Sequence, residues 1–558
     1  MPRLLALCVA ACSPAAGLQP LDAAGGAPDV GPGPVAVADA GAAMDAGFVD
    51  AGQEAGTLDA GPALDSGQER LPDAGEAAPD VGPAGADAGP AFDAGALDAG
   101  PVDALIRVDL ASPGAAVPDD FLGISVEWSH VPDYLGDTTG QPRSQVIQLL
   151  SQFAVDGHRP VLRIGGDSED QAWWNPAGLP DPSGVSVDIT DAHLSVLSAI
   201  GAATGSRFIL GLNLARLDPG SAASLVTAAL GALPPGTVKA FELGNEPDLY
   251  FYPSGYRQFW YSPVFYQADY DSYFPQLSTA AGNQALFAGP ALYGTAWYSS
   301  LASFLSAESG RLSLVTAHRY PYSACLAPVS NPTIDSLFAD AATGQYATVF
   351  QPLVQAASQA GLGLRIAEMN SVSCGGKAGV SDVFAAGLWG VDAMFELASI
   401  GAVGVNLHTP SHYAVFDFDG SGALEVRGLY YAMLLFSRAT AQQGRWLPVA
   451  VQSSLQVRAW GTLGSDGGVR VAIVNEDLQR AAAVGVVVAQ RTGQAQLWRL
   501  TAPAIDAATD ITFGAQTFRG STDGNPIGSA AGDAVSLVAG AYRVRLTAGS
   551  AALLVVPP

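Results

Sequence analysis

Two glutamates stand in settings suited to chemistry: Glu246 in Phe241-Glu-Leu-Gly-Asn-Glu-Pro-Asp248, and Glu368 in Leu364-Arg-Ile-Ala-Glu-Met-Asn370. Each closes a short apolar run that reads as a buried strand, so each carboxylate should project from the C-terminal end of a strand. A carboxylic acid that protonates a leaving oxygen, facing a carboxylate at the anomeric carbon, is the pair that breaks a glycosidic bond; a spacing of about 5–5.5 Å lets the second attack directly and retains configuration. Glu246 would serve as the acid if burial and the charge of Glu368 raise its pKa. Glu368 must then stay ionised and needs donors, and Tyr320, two residues past His318, is placed to be one. The Asn245 amide is positioned to bind a sugar hydroxyl beside the reacting carbon, and Pro247 stiffens the turn after the strand.

The elements that must hold these residues follow from the hydrophobic pattern. Eight apolar runs read as strands: 121–127, 161–165, 208–212, 240–243, 286–288, 315–318, 364–367 and 402–407. They alternate with stretches of helical spacing such as 144–154, 190–204, 221–233 and 380–399, the pattern of an α/β protein. Eight such alternations predict a (β/α)8 TIM barrel over 113–437, with the glutamates at strands four and seven, on the rim where such barrels carry their catalytic groups. Past about residue 438 the texture becomes short alternating runs between Gly, Asp and Ser turns, which predicts a C-terminal antiparallel β-sandwich over 438–558. An alternating stretch at 105–112, ahead of the barrel, is expected to join that sandwich. The sandwich reads as a docked accessory domain or, alternatively, as a carbohydrate-binding module.

The N-terminal part has another character. Residues 18–104 are built of Ala, Gly, Pro and Asp, with Asp-Ala-Gly recurring at Asp39, Asp45, Asp50, Asp59, Asp73, Asp87, Asp93 and Asp98. Thirteen Asp and three Glu against Arg70 give this segment a charge of −15 out of −27 for the chain. It has too few large apolar side chains to offset the entropy of ordering, and is expected to be a disordered, self-repelling linker rather than a calcium-binding repeat. Residues 1–17 read as an export signal region, and Val9-Ala-Ala-Cys12 resembles a bacterial lipoprotein box with Cys12 as the lipidated residue. The expected location is therefore outside the cytoplasm, as a cell-surface or outer-membrane lipoprotein of a bacterium or as a secreted protein. Contact with a membrane is expected only through that lipid anchor, since no apolar run is long enough to span one.

Cys325 and Cys374 both follow barrel strands, and an exported compartment permits a disulfide between them. Two cysteines without clustered histidines make a poor zinc site. No Walker loop, dinucleotide fingerprint, zinc motif or basic patch occurs, so no cofactor, metal or nucleic-acid partner is expected.

Taken together, Asn245-Glu246-Pro247 and Glu368 resemble the clan A glycoside hydrolases. Further stretches are similar to glycoside hydrolase family 79, the β-glucuronidases and heparanases: Phe121-Leu-Gly-Ile-Ser-Val-Glu-Trp-Ser129, Leu162-Arg-Ile-Gly-Gly-Asp-Ser168, His318-Arg-Tyr-Pro321, Asn370-Ser-Val-Ser-Cys-Gly-Gly376 and Gly379-Val-Ser-Asp-Val-Phe-Ala-Ala-Gly-Leu-Trp389. The resemblance runs from about Leu105 to the C-terminus. It implies a retaining enzyme acting on a glycan or glycoside that contains glucuronic acid, with Glu246 as acid/base and Glu368 as nucleophile. It also implies that Glu127 and Asp167 accept hydrogen bonds from sugar hydroxyls, and that Gly375, Gly376 and Tyr413 hold the uronate carboxylate.

Backbone N–H groups and a phenol can offset the charge of a uronate in an acidic protein without a bulky cation. Lys377 either helps them or is a solvated loop lysine. His408 and His412 flank the loop after strand eight, with positioning favoured over proton transfer. Trp173 and Trp174 after strand two, and Tyr250, Phe251, Tyr252, Tyr256, Phe259, Trp260 and Tyr261 after strand four, either stack sugar rings or pack their own loops. The competing readings are a clan A β-glycosidase acting on a neutral sugar and a non-catalytic surface glycan-binding lipoprotein. Oligomeric state is not legible.

Overall fold

The computed structural model describes residues 100–252, 254–325 and 331–558. The Asp-Ala-Gly segment up to residue 99, the signal region and Cys12 lie outside them. Eight strands form the closed barrel: β1 (Gly123–Glu127), β2 (Val161–Gly165), β3 (Arg207–Leu212), β4 (Val238–Leu243), β5 (Phe287–Leu292), β6 (Leu312–Arg319), β7 (Leu364–Met369) and β8 (Gly404–Thr409). Each pairs in parallel with the next, and β8 closes in parallel onto β1. Helices cover the outer faces, so the strands are buried on both sides and read as continuous apolar runs.

The interior of this barrel is partly polar. Arg365 on β7 donates to Asn406 Oδ1 at 2.6 Å, to Asp120 O at 2.8 Å and to Val405 O at 2.9 Å, and so fills the N-terminal end. A Cβ on Gly404 would lie 1.8 Å from its Nη1, so the strand can carry only glycine there. Burial lowers the pKa of this guanidinium to about 10, still well above neutral, and its charge is solvated by those carbonyl oxygens.

Three helices show how the chain closes around the barrel. α1 (Pro219–Ala232) opens with proline at its first position and with Asp218 Oδ1 accepting from the Ser221 amide at 3.0 Å, a strong N-terminal stop. α2 (Phe384–Ser399) is buried nearly all round, because it lies between the barrel and the C-terminal domain. Gly387 on α2 faces Gly428 at the start of α3 (Gly428–Ala439), where an added Cβ would meet backbone at 2.6 Å.

The C-terminal domain is two stacked sheets. One orders Val449–Ser453, Ala104–Val108, Ala482–Val488, Ala541–Leu546 and Leu537–Val538; the other orders Arg445–Leu447, Val457–Leu463, Val469–Asn475, Ser550–Val556, Ala495–Thr501 and Thr512–Phe513. All pairs are antiparallel except one: Ala104–Val108 runs parallel to Ala482–Val488 while lying antiparallel to Val449–Ser453. That strand reaches the sheet from before the barrel, so no hairpin turn dictates its direction. It begins at Ala104, one residue before the expected start, and ends at Val108 rather than 112. The strand Ser550–Val556 departs from the alternating texture expected past residue 438. It lies between Val469–Asn475 and Ala495–Thr501 and is buried on nearly every residue, so it lacks the alternation that marks a half-exposed strand.

The sheet face toward α2 and α3 packs into the barrel's hydrophobic cluster, while the space between the two sheets holds a core of its own. Phe395 on α2 stacks on Trp460 with centroids 5.0 Å apart, and Arg458 pairs with Asp392 at 2.6 Å and Glu396 at 3.1 Å.

Candidate active site

Glu246 lies just past β4, and its backbone is left-handed (φ 48°, ψ 55°), followed by a short helical turn at Pro247–Leu249. Such a conformation is uncommon for a residue with a Cβ and is kept where the surroundings over-determine it. Gly244, also at positive φ, would clash with the Tyr250 hydroxyl at 2.6 Å if it carried a Cβ. Glu368 needs no such device, because it belongs to β7 itself.

The two carboxylates meet. One ligand atom each from Glu246, His318 and Glu368 lie within 4.8 Å of one another. His318 Nδ1 is 2.9 Å from Glu246 Oε1. On the far side, Tyr320 donates to Glu368 Oε1 at 2.8 Å and Arg163 Nη1 donates to Oε2 at 2.6 Å, with His408 Nδ1 3.5 Å from the same oxygen.

Their environments drive them apart. Burial, reinforced by the charges of Glu368, Asp167 and Asp248, raises Glu246 well above its ordinary 4.5. Burial also works to raise Glu368, but His408, His318, Arg163 and the Tyr320 hydroxyl outweigh it and bring it to about 2. Burial takes His318 down to about 4, so near neutrality that ring is uncharged and the lasting cation against Glu368 is Arg163.

Arg163 was not among the expected site residues, although it stands in the middle of β2. It is fully buried and joins five side chains: Glu368, Glu242 at 2.8 Å, Glu169 at 3.5 Å, Asn245 Oδ1 at 2.9 Å and Ser125 at 3.3 Å. Burial raises Glu169 well above the usual carboxylate range despite Arg163. Glycines make the room: a Cβ at Gly211 would fall 2.0 Å from Glu169 Oε2. A charged residue inside an otherwise apolar five-residue strand was the signal available in the sequence.

Asn245 is engaged at both ends of its amide. Its Oδ1 accepts from Arg163, and its Nδ2 donates to Asp167 Oδ1 at 3.1 Å, leaving one N–H for a ligand. Asp167 is raised by burial and by Glu368. Glu127 accepts from the Asp167 amide at 3.0 Å, the Ser168 amide at 2.8 Å and the Ser168 hydroxyl. Its carboxylate thereby anchors the turn after β2, and Gly166 fits there because a Cβ would sit 2.1 Å from Glu127 Oε1.

Cys374, Gly375 and Gly376 are three successive left-handed residues, with φ of 62°, 79° and 80°. Cys374 is disulfide-bonded to Cys325, which ties the loop after β6 to the loop after β7. The Gly375 carbonyl accepts from the His412 amide at 3.0 Å, and a Cβ on Gly376 would press on the Tyr413 amide at 2.9 Å. Tyr413 is buried, its ring 6.1 Å from Tyr320 and 5.5 Å from His408. Burial, then Glu368 and Glu127, raise its phenol, against the Gly375 backbone and the Tyr320 hydroxyl, so all these groups lie close together.

Other residues are elsewhere occupied. Lys377 Nζ donates to Asn331 Oδ1 and Pro332 O, both at 2.5 Å, and pins the loop. His412 is exposed, 3.7 Å from Asp382. Trp173 donates to Asp188 at 2.7 Å, and Tyr250 and Tyr261 are buried in their loop. Among the described residues, Glu246, His318 and Glu368 are the one grouping that could hold a metal. An ion there would lie against the Arg163 guanidinium, which already neutralises Glu368, so the donor set fits acid/base chemistry better than metal binding.

A closed parallel barrel that presents two opposed glutamates after its fourth and within its seventh strand, joined to a β-sandwich, has the architecture of the clan A glycoside hydrolases. The family resemblance of the motifs is carried further by direct comparison: residues 459–553 match the glycosyl hydrolase family 79 C-terminal beta domain. The chain is 28% identical over 352 residues to a β-glucuronidase of Neurospora crassa and 25% identical over 344 residues to one of Aspergillus niger. Each match takes in 55% of this chain, and the chain spans 60% and 63% of the length of those relatives. Among solved structures, a 4-O-α-L-rhamnosyl-β-D-glucuronidase from Fusarium oxysporum 12S superposes with a TM-score of 0.68 at 18% identity, over 81% of this chain and 99% of that one. A family 51 arabinofuranosidase from Xanthomonas axonopodis pv. citri follows at 0.64 and 16%, over 82% and 100%. At such identities these two likenesses concern the fold alone. Among the described residues no helix is long and apolar enough to cross a membrane.

Proposed function

We propose that this protein is a retaining glycoside hydrolase that cleaves β-linked glucuronic acid. The observation that carries the reading is the approach of Glu246 and Glu368 to within 4.8 Å, in surroundings that shift the two carboxyl groups in opposite directions, Glu246 up and Glu368 down. Glu368 attacks the anomeric carbon while Glu246 gives its proton to the leaving oxygen, forming a glycosyl ester on Glu368. Glu246, now a carboxylate, takes a proton from water, which displaces the sugar from Glu368 with a second inversion. Tyr320 and Arg163 hold the nucleophile ionised and oriented between turnovers.

The uronate reading is supported by the Gly375–Gly376 turn and Tyr413 beside Glu368, and by the β-glucuronidase relatives. Asp167 and the free N–H of Asn245 serve the sugar hydroxyls, while Glu127 acts mainly by fixing the loop that carries Asp167. An exported location agrees with the Cys325–Cys374 disulfide. Anchoring at Cys12 is tested by whether Cys12→Ser releases activity from the membrane fraction.

The decisive assay pairs 4-nitrophenyl β-glucuronide with 4-nitrophenyl β-glucoside. Hydrolysis of the glucuronide, lost in Glu368→Ala and returned by azide as a product of inverted configuration, is the expected result. Faster release from the glucoside would refute the uronate reading, and near wild-type rates in both Glu368→Ala and Glu246→Ala would refute the catalytic pair.

A further inference from the structure

Glu242 is bound by the same guanidinium that steadies the nucleophile, and no step of the proposed reaction uses it. It stands on β4, and both its side chain and that of Arg163 are fully buried. Its Oε2 lies in the fork of Arg163, 2.8 Å from Nε and 2.8 Å from Nη2. Its Oε1 has no hydrogen-bond partner among the described residues, so the guanidinium is what holds this carboxylate in the barrel. Arg163 reaches Glu368 through Nη1, at 2.6 Å. Burial works to lower the pKa of Arg163, but Glu242 first, then Glu368 and Glu169, outweigh it. Of the three, Glu169 is the farthest at 3.5 Å and is itself raised by burial, with the Leu212 amide donating to its other oxygen at 3.1 Å.

We propose that Glu242 is a positioning residue that keeps Arg163 compensated while Glu368 is an ester, so that the covalent intermediate forms without leaving a bare guanidinium beside the reacting sugar. The inference rests on the retaining reaction proposed for Glu246 and Glu368 and assigns that reaction a further residue. In the first step Glu368 gives an electron pair to the anomeric carbon, the bond from that carbon to the leaving oxygen breaks, and the oxygen takes the proton of Glu246. The carboxylate beside Nη1 thereby becomes a neutral ester, while the guanidinium keeps its proton throughout.

An uncompensated charge in a buried site is strongly unfavourable. This one would stand next to a sugar whose transition state is itself positive, like an oxocarbenium ion. Glu242 meets both difficulties, because it stays in the fork whatever the state of Glu368. Its hold on Nε and Nη2 also leaves the nucleophile a single contact with the guanidinium: Oε2 of Glu368 accepts from Nη1, while Oε1 takes the Tyr320 hydroxyl at 2.8 Å. The nucleophile is thus kept ionised without being clamped by a two-pronged arginine.

Two measurements test this. The first needs no substrate and compares the melting temperatures of Glu242→Gln, Glu368→Gln and the double variant near neutrality. Each single variant leaves Arg163 one of the two carboxylates and should melt within about 3 °C of wild type. The double variant leaves neither and should melt well below the sum of the single changes, or not fold. Additive changes, or a Glu242→Gln protein that does not fold, overturn the inference, since Glu368 should then suffice and does not. The second measurement follows the ester with 2,4-dinitrophenyl 2-deoxy-2-fluoro-β-glucuronide, whose fluorine slows both steps and whose leaving group restores the first. In Glu242→Gln, labelling of Glu368 should slow about ten-fold or more, while release of the fluorosugar from the labelled enzyme should be as fast as in wild type or faster, because a less stable ester is harder to form and easier to break. Mere support of β4 would slow both steps; that result, or unchanged labelling, overturns the inference. Glu242→Asp keeps a carboxylate and should recover most of the labelling rate, and an Asp variant no better than Gln counts against the charge. If wild type is neither labelled by the fluoroglucuronide nor active on 4-nitrophenyl β-glucuronide, the proposed function fails by itself, and the melting comparison alone then decides whether Glu242 compensates Arg163.

Discussion

Glu246 pairs a left-handed backbone with a raised carboxyl, and both accompany its projection into a site that already holds the Glu368 carboxylate. A folded-state pKa above the ordinary 4.5 means that its contribution to folding is fully present below that value and is lost as pH rises through the raised one. Glu246→Gln should therefore melt higher than wild type near pH 8, converge with it below about pH 4.5, and lack turnover; a lower melting temperature at pH 8 would mean that the carboxylate is not under repulsion. The same charge states set the rate profile. In the proposed mechanism Glu246 acts protonated and Glu368 ionised, so kcat/KM should fall on the alkaline side with Glu246, and the acid limb of Glu368, at about 2, should lie below the range of measurement. Tyr413→Phe removes one hydroxyl and leaves the packing. It should cost about 1.5–3 kcal/mol on the glucuronide, roughly ten- to a hundred-fold in selectivity over the glucoside. Equal losses on both sugars would assign Tyr413 to loop support.

At the scale of elements, the site is made by loops whose roots are locked. The turn after β2 is held by Glu127, the turn after β4 by Asp170, and the turn after β7 by the Cys325–Cys374 bridge together with the Lys377 contacts. Three successive left-handed residues, one of them Cys374, are a backbone that the chain would leave if it were free to do so. Replacing both cysteines by serine should cost about 2–4 kcal/mol of stability, and KM for the glucuronide should rise more than kcat falls. A KM unchanged in the bridge-free protein would show that Lys377 and the Gly376–Tyr413 packing suffice.

At the scale of the molecule, barrel and sandwich are expected to unfold together, because Phe395, Trp460, Phe436 and Trp446 belong to one aromatic cluster across the junction. Phe395→Ala should cost about 3–5 kcal/mol and lower a single transition; two resolved transitions in wild type calorimetry would separate the domains. Much of this architecture is written locally. The eight barrel runs, the alternating strands past residue 438 and the two glutamates at the ends of apolar runs are visible in sequence because periodicity and strand termini depend on neighbours along the chain. The Asn245–Glu246–Pro247 turn and the Gly375–Gly376 pair are legible for the same reason, as backbone needs expressed in residue type. What closure of the barrel decides is different in kind. Arg163 becomes the counter-charge of Glu368 only when β2, β4 and β7 face one another, and Glu127 becomes a loop anchor only when the turn after β2 folds back upon it. Which aromatic rings after β4 are buried and which stand free, and the parallel docking of Ala104–Val108, likewise depend on partners far away in the chain. Local spacing sets which face a residue takes, but compensation of buried charge and occupation of a surface are fixed by groups that only the tertiary fold brings within a few ångströms.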